Sequence, residues 1–346
     1  MESKYYDGTK LLSMKDINGN VPEIYLCCTN RSAGKTTYFG RYAVNRFKNH
    51  SEKFILIYRY NYELSDIADK FFKELKYLFF PEDEMTSKSK AKGIYHELFL
   101  NEKSCGYAVS INNADQLKKM SHLFSDACRM LFDEFQSENN HYCDNEITKF
   151  QSLHTSIARG QGKQVKYLPV IMLGNFVTLL NPYFIALGIS NRLNIKTKFL
   201  KGDGFVCEQG FNDSASKHQV ESAFNRAFNN SDYVKYTTQK TYLNDNITFV
   251  SAPSGNSKYV ATIKYDGVNY AIREYTEAGI MYCDKNYDVS FPTKITVNTE
   301  DHDINYIMLR KNDLLINALR WYFEHGVFRF KDLQCKDAIL QCCAYR

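Results

Sequence analysis

Two short stretches carry side chains that could do chemistry together. The first is CCTNRSAGKTTY, residues 27–38, which ends in Gly34-Lys35-Thr36. A glycine turn leading into a helix points backbone N–H groups at phosphate oxygens. A lysine there reaches the β- and γ-phosphates, and the next hydroxyl ligates Mg²⁺. The usual pattern has a glycine five positions before Gly34. Thr29 stands there instead, and Arg31 lies inside the loop. We read Thr29, Asn30, Arg31, Ser32, Ala33, Gly34, Lys35, Thr36 and Thr37 as the nucleotide-binding stretch. The second is RMLFDEF, residues 129–135. Its apolar run delivers Asp133, suited with Thr36 to holding Mg²⁺, and Glu134, suited to polarising an attacking water. No guanine-selecting NKxD accompanies them, so ATP is the expected nucleotide.

Two further residues are weighed by position. Asn175 follows the apolar run 168–173 and sits where a polar side chain can sense the γ-phosphate; an ordinary strand-ending turn would read the same. Arg159 lies in SIARGQGKQV, and spacing alone makes it a solvated surface arginine.

These groups need a rigid frame. Apolar runs at 24–28, 54–58, 107–111, 130–132 and 168–173 suit strands buried on both faces of a parallel sheet. Helical patterns between them start at Lys35 and cover 64–75 and 113–124. Alternating strand and helix gives an α/β P-loop NTPase sheet with helices on both faces. TSKSKAKG, residues 86–93, reads as an exposed basic loop, with a DNA-facing loop as the alternative. Residues 1–200 are the expected ATPase domain. Residues 201–235, with KGDG and a helical 214–228, read as a hinge, and 236–346 as a smaller α+β domain. YVATIKYDGVNYAI predicts a hairpin around Asp266-Gly267. Helices are expected at 312–325 and 331–343.

The loop NRSAGKTT resembles the deviant phosphate-binding loop of viral DNA-packaging ATPases, the large-terminase class. That class often lacks the first glycine and carries an arginine in the loop, as Thr29 and Arg31 do here. Residues 10–41, KLLSMKDINGNVPEIYLCCTNRSAGKTTYFGR, are similar to the DNA encapsidation proteins of small, short-tailed, protein-primed phages. The resemblance covers residues 10–200 well and the remainder loosely. It implies an ATP-driven motor, using Mg²⁺, that moves double-stranded DNA through a portal into a procapsid. It implies a homomeric ring, a pentamer, with a structural RNA as a further partner. It makes Arg159 a finger acting on the neighbouring subunit's nucleotide and Asn175 a coupling residue. It sets Lys118 or Lys119 against DNA or an adjacent subunit. It implies an RNase H-like second domain that is a vestigial nuclease, because unit-length genomes need no cutting; a live nuclease using Asp266 is the alternative there.

Composition sets outer bounds. Forty-four Lys+Arg against 39 Asp+Glu, net +5, permits a polyanionic partner without requiring one. Ten cysteines include no CxxC pair and read as free thiols of a reducing cytoplasm. MESKYYDGTK does not read as a signal peptide, and no run is long enough to span a membrane, so the host cytoplasm and the procapsid surface are the expected locations. A helicase or helicase loader of the same P-loop class, and a nucleotide-binding scaffold without turnover, are the competing readings.

Overall fold

The central apolar runs form strands whose alternate side chains enter two separate cores. Tyr25, Cys27, Phe54 and Leu56 join one; Leu26, Cys28, Ile55 and Ile57 join the other. A strand buried on both faces needs helices on both sides of the sheet. The computed structural model describes residues 5–159, 164–190, 192–194, 196–229, 231–310 and 312–343. The chain divides into two compact units, Met1–Asn244 and Asp245–Arg346.

In the first unit the strands are β1 (Ile24–Cys28), β2 (Lys53–Tyr58), β3 (Met85–Lys90), β4 (Tyr95–Leu100), β5 (Lys103–Ser110), β6 (Ala127–Phe132), β7 (Val170–Gly174), β8 (Phe199–Gly202) and β9 (Phe205–Gln209). Among the described residues they form one sheet, ordered β3-β4-β5-β2-β6-β7-β1-β9-β8. The central six, β5 to β9 in that order, are parallel; β3, β4 and β8 are antiparallel edges. The α-helices are α1 (Thr9–Ser13), α2 (Lys35–His50), α3 (Ile67–Phe79), α4 (Ala114–Lys119), α5 (Glu146–Ile157), α6 (Pro182–Ala186), α7 (Asp213–Glu221), α8 (Ala223–Ala227) and α9 (Asp232–Thr238). The carboxyl ends of β1, β2, β6 and β7 lie at one edge of the sheet. In α/β folds ligands bind at such an edge.

Three sequence expectations change here. Residues 86–93 are not a loop: β3 pairs with β4 over its whole length. An edge strand with one exposed face can be this polar, which hides it from a search for apolar runs. Residues 201–235 are not a separate hinge, because they lie inside the first unit. The KGDG glycines turn a hairpin from β8 into β9, which is buried throughout and pairs with β1. The helix expected over 113–124 stops at Lys119 and resumes as a 3₁₀ turn over Ser121–Phe124.

In the second unit the strands are β10 (Lys258–Tyr265), β11 (Val268–Tyr275), β12 (Ile280–Asp284), β13 (Lys294–Thr296), β14 (Ile307–Met308) and β15 (Phe328–Phe330). They form a sheet ordered β14-β13-β10-β11-β12-β15. The expected hairpin turns on Asp266 (φ 52°) and Gly267 (φ 73°). Two helices, α10 (Leu314–Glu324) and α11 (Leu333–Cys342), pack Ile316, Leu319, Cys335 and Ile339 against Ile263, Ile272, Phe328 and Phe330. All ten cysteines are free, and only Cys128 is exposed. No helix among the described residues is long and apolar enough to cross a membrane.

Candidate nucleotide site

The turn after β1 is built for a backbone that faces outward. Ser32 (φ 60°) and Gly34 (φ 93°) are left-handed, and Gly34 caps α2, which begins at Lys35. At Gly34 only glycine adopts this φ at little cost. The N–H groups of the first turn of α2 have no intrahelical acceptors and so face a prospective anion. Buried Asn30 anchors the loop: its Nδ2 donates to the Asn212 carbonyl at 3.0 Å, and its Oδ1 accepts from the Asn212 N–H at 2.8 Å. The Tyr6 N–H donates to the Ala33 carbonyl at 2.8 Å, strapping the chain's start across the loop.

Four strand ends then bring the reactive groups together. Lys35, 8% exposed, donates from Nζ to Asn175 Oδ1 at 2.6 Å. Thr36 and Asp133 line the same cavity, where the Thr36 hydroxyl favours the ionised Asp133 carboxyl. Gly174, at the tip of β7, is needed for the approach: a Cβ there would lie 2.8 Å from the Phe135 ring. Lys35, Thr36, Asp133, Glu134, Asn175 and Arg31 line one cavity of about 270 Å³, joined by Arg59, Gln136 and Glu138.

The electrostatics suit an acid–base pair under a triphosphate. Burial pushes the Asp133 carboxyl above its ordinary value, against the pull of the Lys35 charge and the Thr36 hydroxyl. Glu134 shows surface at the cavity mouth, yet protein crowds its carboxylate. That desolvation raises its pKa first, and the charges of Asp133 and Glu138 add to it; Arg31 and Lys35 oppose them. The shift of Glu134 moves it closer to the working range of a general base.

Several positioning residues escaped the sequence reading. Arg59 follows β2 and is buried. It donates from Nε to Glu146 Oε2 at 2.9 Å, from Nη2 to the Phe135 carbonyl at 2.9 Å and from Nη1 to the Glu134 carbonyl at 3.3 Å. Glu146 also accepts from the Tyr183 hydroxyl at 2.7 Å and the Cys143 N–H at 2.8 Å. The turn that carries Glu134, itself left-handed at φ 55°, is thereby pinned from below. A charge directly after the run 54–58 was the available signal, the same signal that exposed Asp133. The stretch read as a hinge closes over the loop instead. Gln219 donates to Ser32 at 3.0 Å, while Tyr233 accepts from Arg31, whose other nitrogen is 3.1 Å from Glu138.

The remaining sequence candidates lie elsewhere. Thr37 faces a neighbouring cleft with Tyr58 and Lys70, and Thr29 faces another with Tyr6 and Gln209. Arg159 is exposed just beyond the far end of α5. That helix starts beside Arg59 and runs 12 residues, about 18 Å, away from the cavity. Lys118 and Lys119 are exposed at the last turn of α4, outside the cavity.

Comparison with known proteins places this geometry in a family. The family model described as podovirus DNA encapsidation protein (Gp16) matches residues 1–343. The DNA packaging protein of Bacillus phage phi29 is 25% identical over 333 residues, covering 95% of this chain and 94% of that protein. That of Bacillus phage B103 is 26% identical over 306 residues, covering 87% and 90%. Among solved structures, a chain of the bacteriophage phi29 viral genome packaging motor assembly shares the fold, with a TM-score of 0.71 at 24% identity over 99% of this chain and 98% of that one.

Proposed function

The chain belongs to the podovirus DNA encapsidation protein (Gp16) family and is an ATPase of viral DNA packaging, and on that premise we propose how its residues do the work. One observation carries the reading: Lys35, Thr36, Asp133, Glu134 and Asn175, which follow three strand ends and span 140 residues of sequence, line a single cavity. Phosphoryl transfer asks for positioning and charge neutralisation rather than covalent chemistry. Lys35, Arg31 and the loop N–H groups neutralise the triphosphate. Glu134 orients the attacking water and takes up its proton, and Asn175 holds Lys35 in line. The hydroxyl of Thr36 and the carboxylate of Asp133 line the same cavity. They are hard oxygen ligands of the kind Mg²⁺ takes. Bound there, Mg²⁺ would help neutralise the charge of the triphosphate.

Arg159 is not among the residues that line the cavity of its own chain. We assign it to the cavity of the next copy in a homomeric ring, a pentamer, so that each firing depends on a neighbour. The ring moves double-stranded DNA by its backbone through the portal into the procapsid, working in the host cytoplasm and joining the procapsid transiently, with a structural RNA as a further partner. Lys118 and Lys119 are assigned to DNA or the adjacent subunit. The second unit is read as a vestigial RNase H-like domain. Its three antiparallel strands β10–β12, continued by parallel β13 and β14, support that reading. Three of its carboxylates have partners: Asp284 with Arg273 at 3.0 Å, Asp303 with Lys264 at 3.3 Å and one oxygen of Asp301 with the Gly267 N–H at 2.7 Å. The test is Glu134→Gln. ATP binding should persist while DNA-stimulated hydrolysis falls by about 10²–10⁴-fold; intact hydrolysis would sink the mechanism.

A further inference from the structure

The basic stretch at residues 86–93, once seen as a hairpin, has a definite place and polarity. β4 runs antiparallel to β5, and β5 runs parallel to β2. The hairpin tip, residues 91–94, therefore stands at the same edge of the sheet as the nucleotide cavity. Ala91, Lys92 and Gly93 are all left-handed, at φ 50°, 58° and 86°. Three such residues in a row make a sharp turn that leaves Lys92 exposed, with no ion pair or side-chain hydrogen bond among the described residues. Lys88 is exposed as well, its ammonium 4.9 Å from the Phe99 ring. Lys90 lies 3.4 Å from Glu97, a half-exposed pair of the kind that contributes little and can be exchanged.

Charge is sorted along this hairpin. Lys88, Lys90 and Lys92 occupy the tip half, with Glu97 as their acid. Glu82, Asp83 and Glu84 occupy the start of the hairpin, some 20 Å away for a six-residue strand, and the turn after β4 carries Glu102 beside Lys103. Edge-strand lysines also deter strand pairing, but that role does not call for lysines at one end and acids at the other. Ser89 and Ala91 stand between the lysines and Ser87 and Gly93 flank them, small residues that let a backbone come close, the two serines with hydroxyl donors. The tip is also braced against the site. Asn113 donates from Nδ2 to the Ile94 carbonyl at 3.2 Å and to Asn61 Oδ1 at 2.8 Å, and Asn61 follows the Arg59 that holds the Glu134 turn.

We propose that the β3–β4 hairpin tip, through Lys88, Lys90 and Lys92, is a contact of this protein with the phosphodiester backbone of duplex DNA. The assignment rests on the DNA-packaging reading and adds to it a location. Lysine ammoniums and serine hydroxyls on a projecting ribbon contact phosphates without reading base sequence.

The experiment is equilibrium binding of the full-length protein to two unrelated duplexes, across a salt series, with a non-hydrolysable ATP analogue present. Each phosphate contact adds about 0.9 to the slope of log K against log salt. Lys88→Gln/Lys92→Gln should lower that slope by about 1.8, equally for both duplexes. ATP hydrolysis without DNA should stay unchanged, which also reports an intact fold, and Lys88→Arg/Lys92→Arg should keep the wild-type slope. An unchanged slope in the glutamine variant, with the wild type binding normally, overturns the hairpin assignment alone. A wild type that binds neither duplex overturns the packaging reading and this assignment with it.

Discussion

Lys35 donates to Asn175 across the cavity at 2.6 Å, so the loop after β1 and the tip of β7 are joined at the atom meant for phosphate. The lysine is held extended over the site, and Asn175 is the group that holds it.

Asn175→Ala therefore leaves Lys35 free to swing. Nucleotide affinity should change by less than about threefold, while kcat falls by about 10–100-fold, the pattern of an interaction that matters most in the transition state. Fluorescent-nucleotide titration beside steady-state hydrolysis separates the two. A fall in affinity with kcat unchanged would assign Asn175 to ground-state binding instead.

The Arg59–Glu146 pair is buried on both sides, with side chains 9% and 2% exposed. Removing one partner of such a pair strands the other, at about 3–5 kcal/mol. Glu146→Ala should lower the stability of the first unit by that much. Asp232→Ala, which breaks the exposed pair with Lys235, should cost about 0–1 kcal/mol. Denaturant melts compare them directly.

The pH dependence follows from Glu134. Its raised pKa means that it protonates at a pH where a free glutamate, at about 4.3, is still charged. Only the ionised form can accept a proton, so the acid limb of kcat/KM, which reports the free enzyme, should lie above that value. Arg31 favours the ionised form, so Arg31→Ala should move the limb upward. Glu138 disfavours it, so Glu138→Gln should move the limb downward. Profiles of kcat/KM check both shifts, and a limb that moves with neither substitution would contradict Glu134 as the base.

The legible part of this protein was what local pattern controls. The run Ile24–Cys28 had to be a buried strand, and a strand ahead of Gly34-Lys35-Thr36 implied the loop geometry that the structure contains. Asp133 and Glu134 were legible because an apolar strand ends on them. Arg59 and Glu146 were not, because the partners lie 87 residues apart and only the fold pairs them. The edge strand β3 was hidden by its polarity. KGDG looked like a linker because a hairpin turn and a hinge use the same residues. The contacts of Asn212, Gln219 and Tyr233 with the loop depend on how the chain returns over the sheet, which no window of sequence records.

The central claim is that Arg159 works on a neighbour's nucleotide, and mixing tests it most directly. Arg159→Ala and Glu134→Gln proteins are assayed for ATP hydrolysis alone and mixed, with duplex DNA and procapsids. Each should be inactive alone. In the mixture, Glu134→Gln subunits supply Arg159 to the intact cavities of Arg159→Ala subunits, and hydrolysis should return. Normal hydrolysis by Arg159→Ala alone, or a mixture as inactive as its parts, would contradict a site shared between copies.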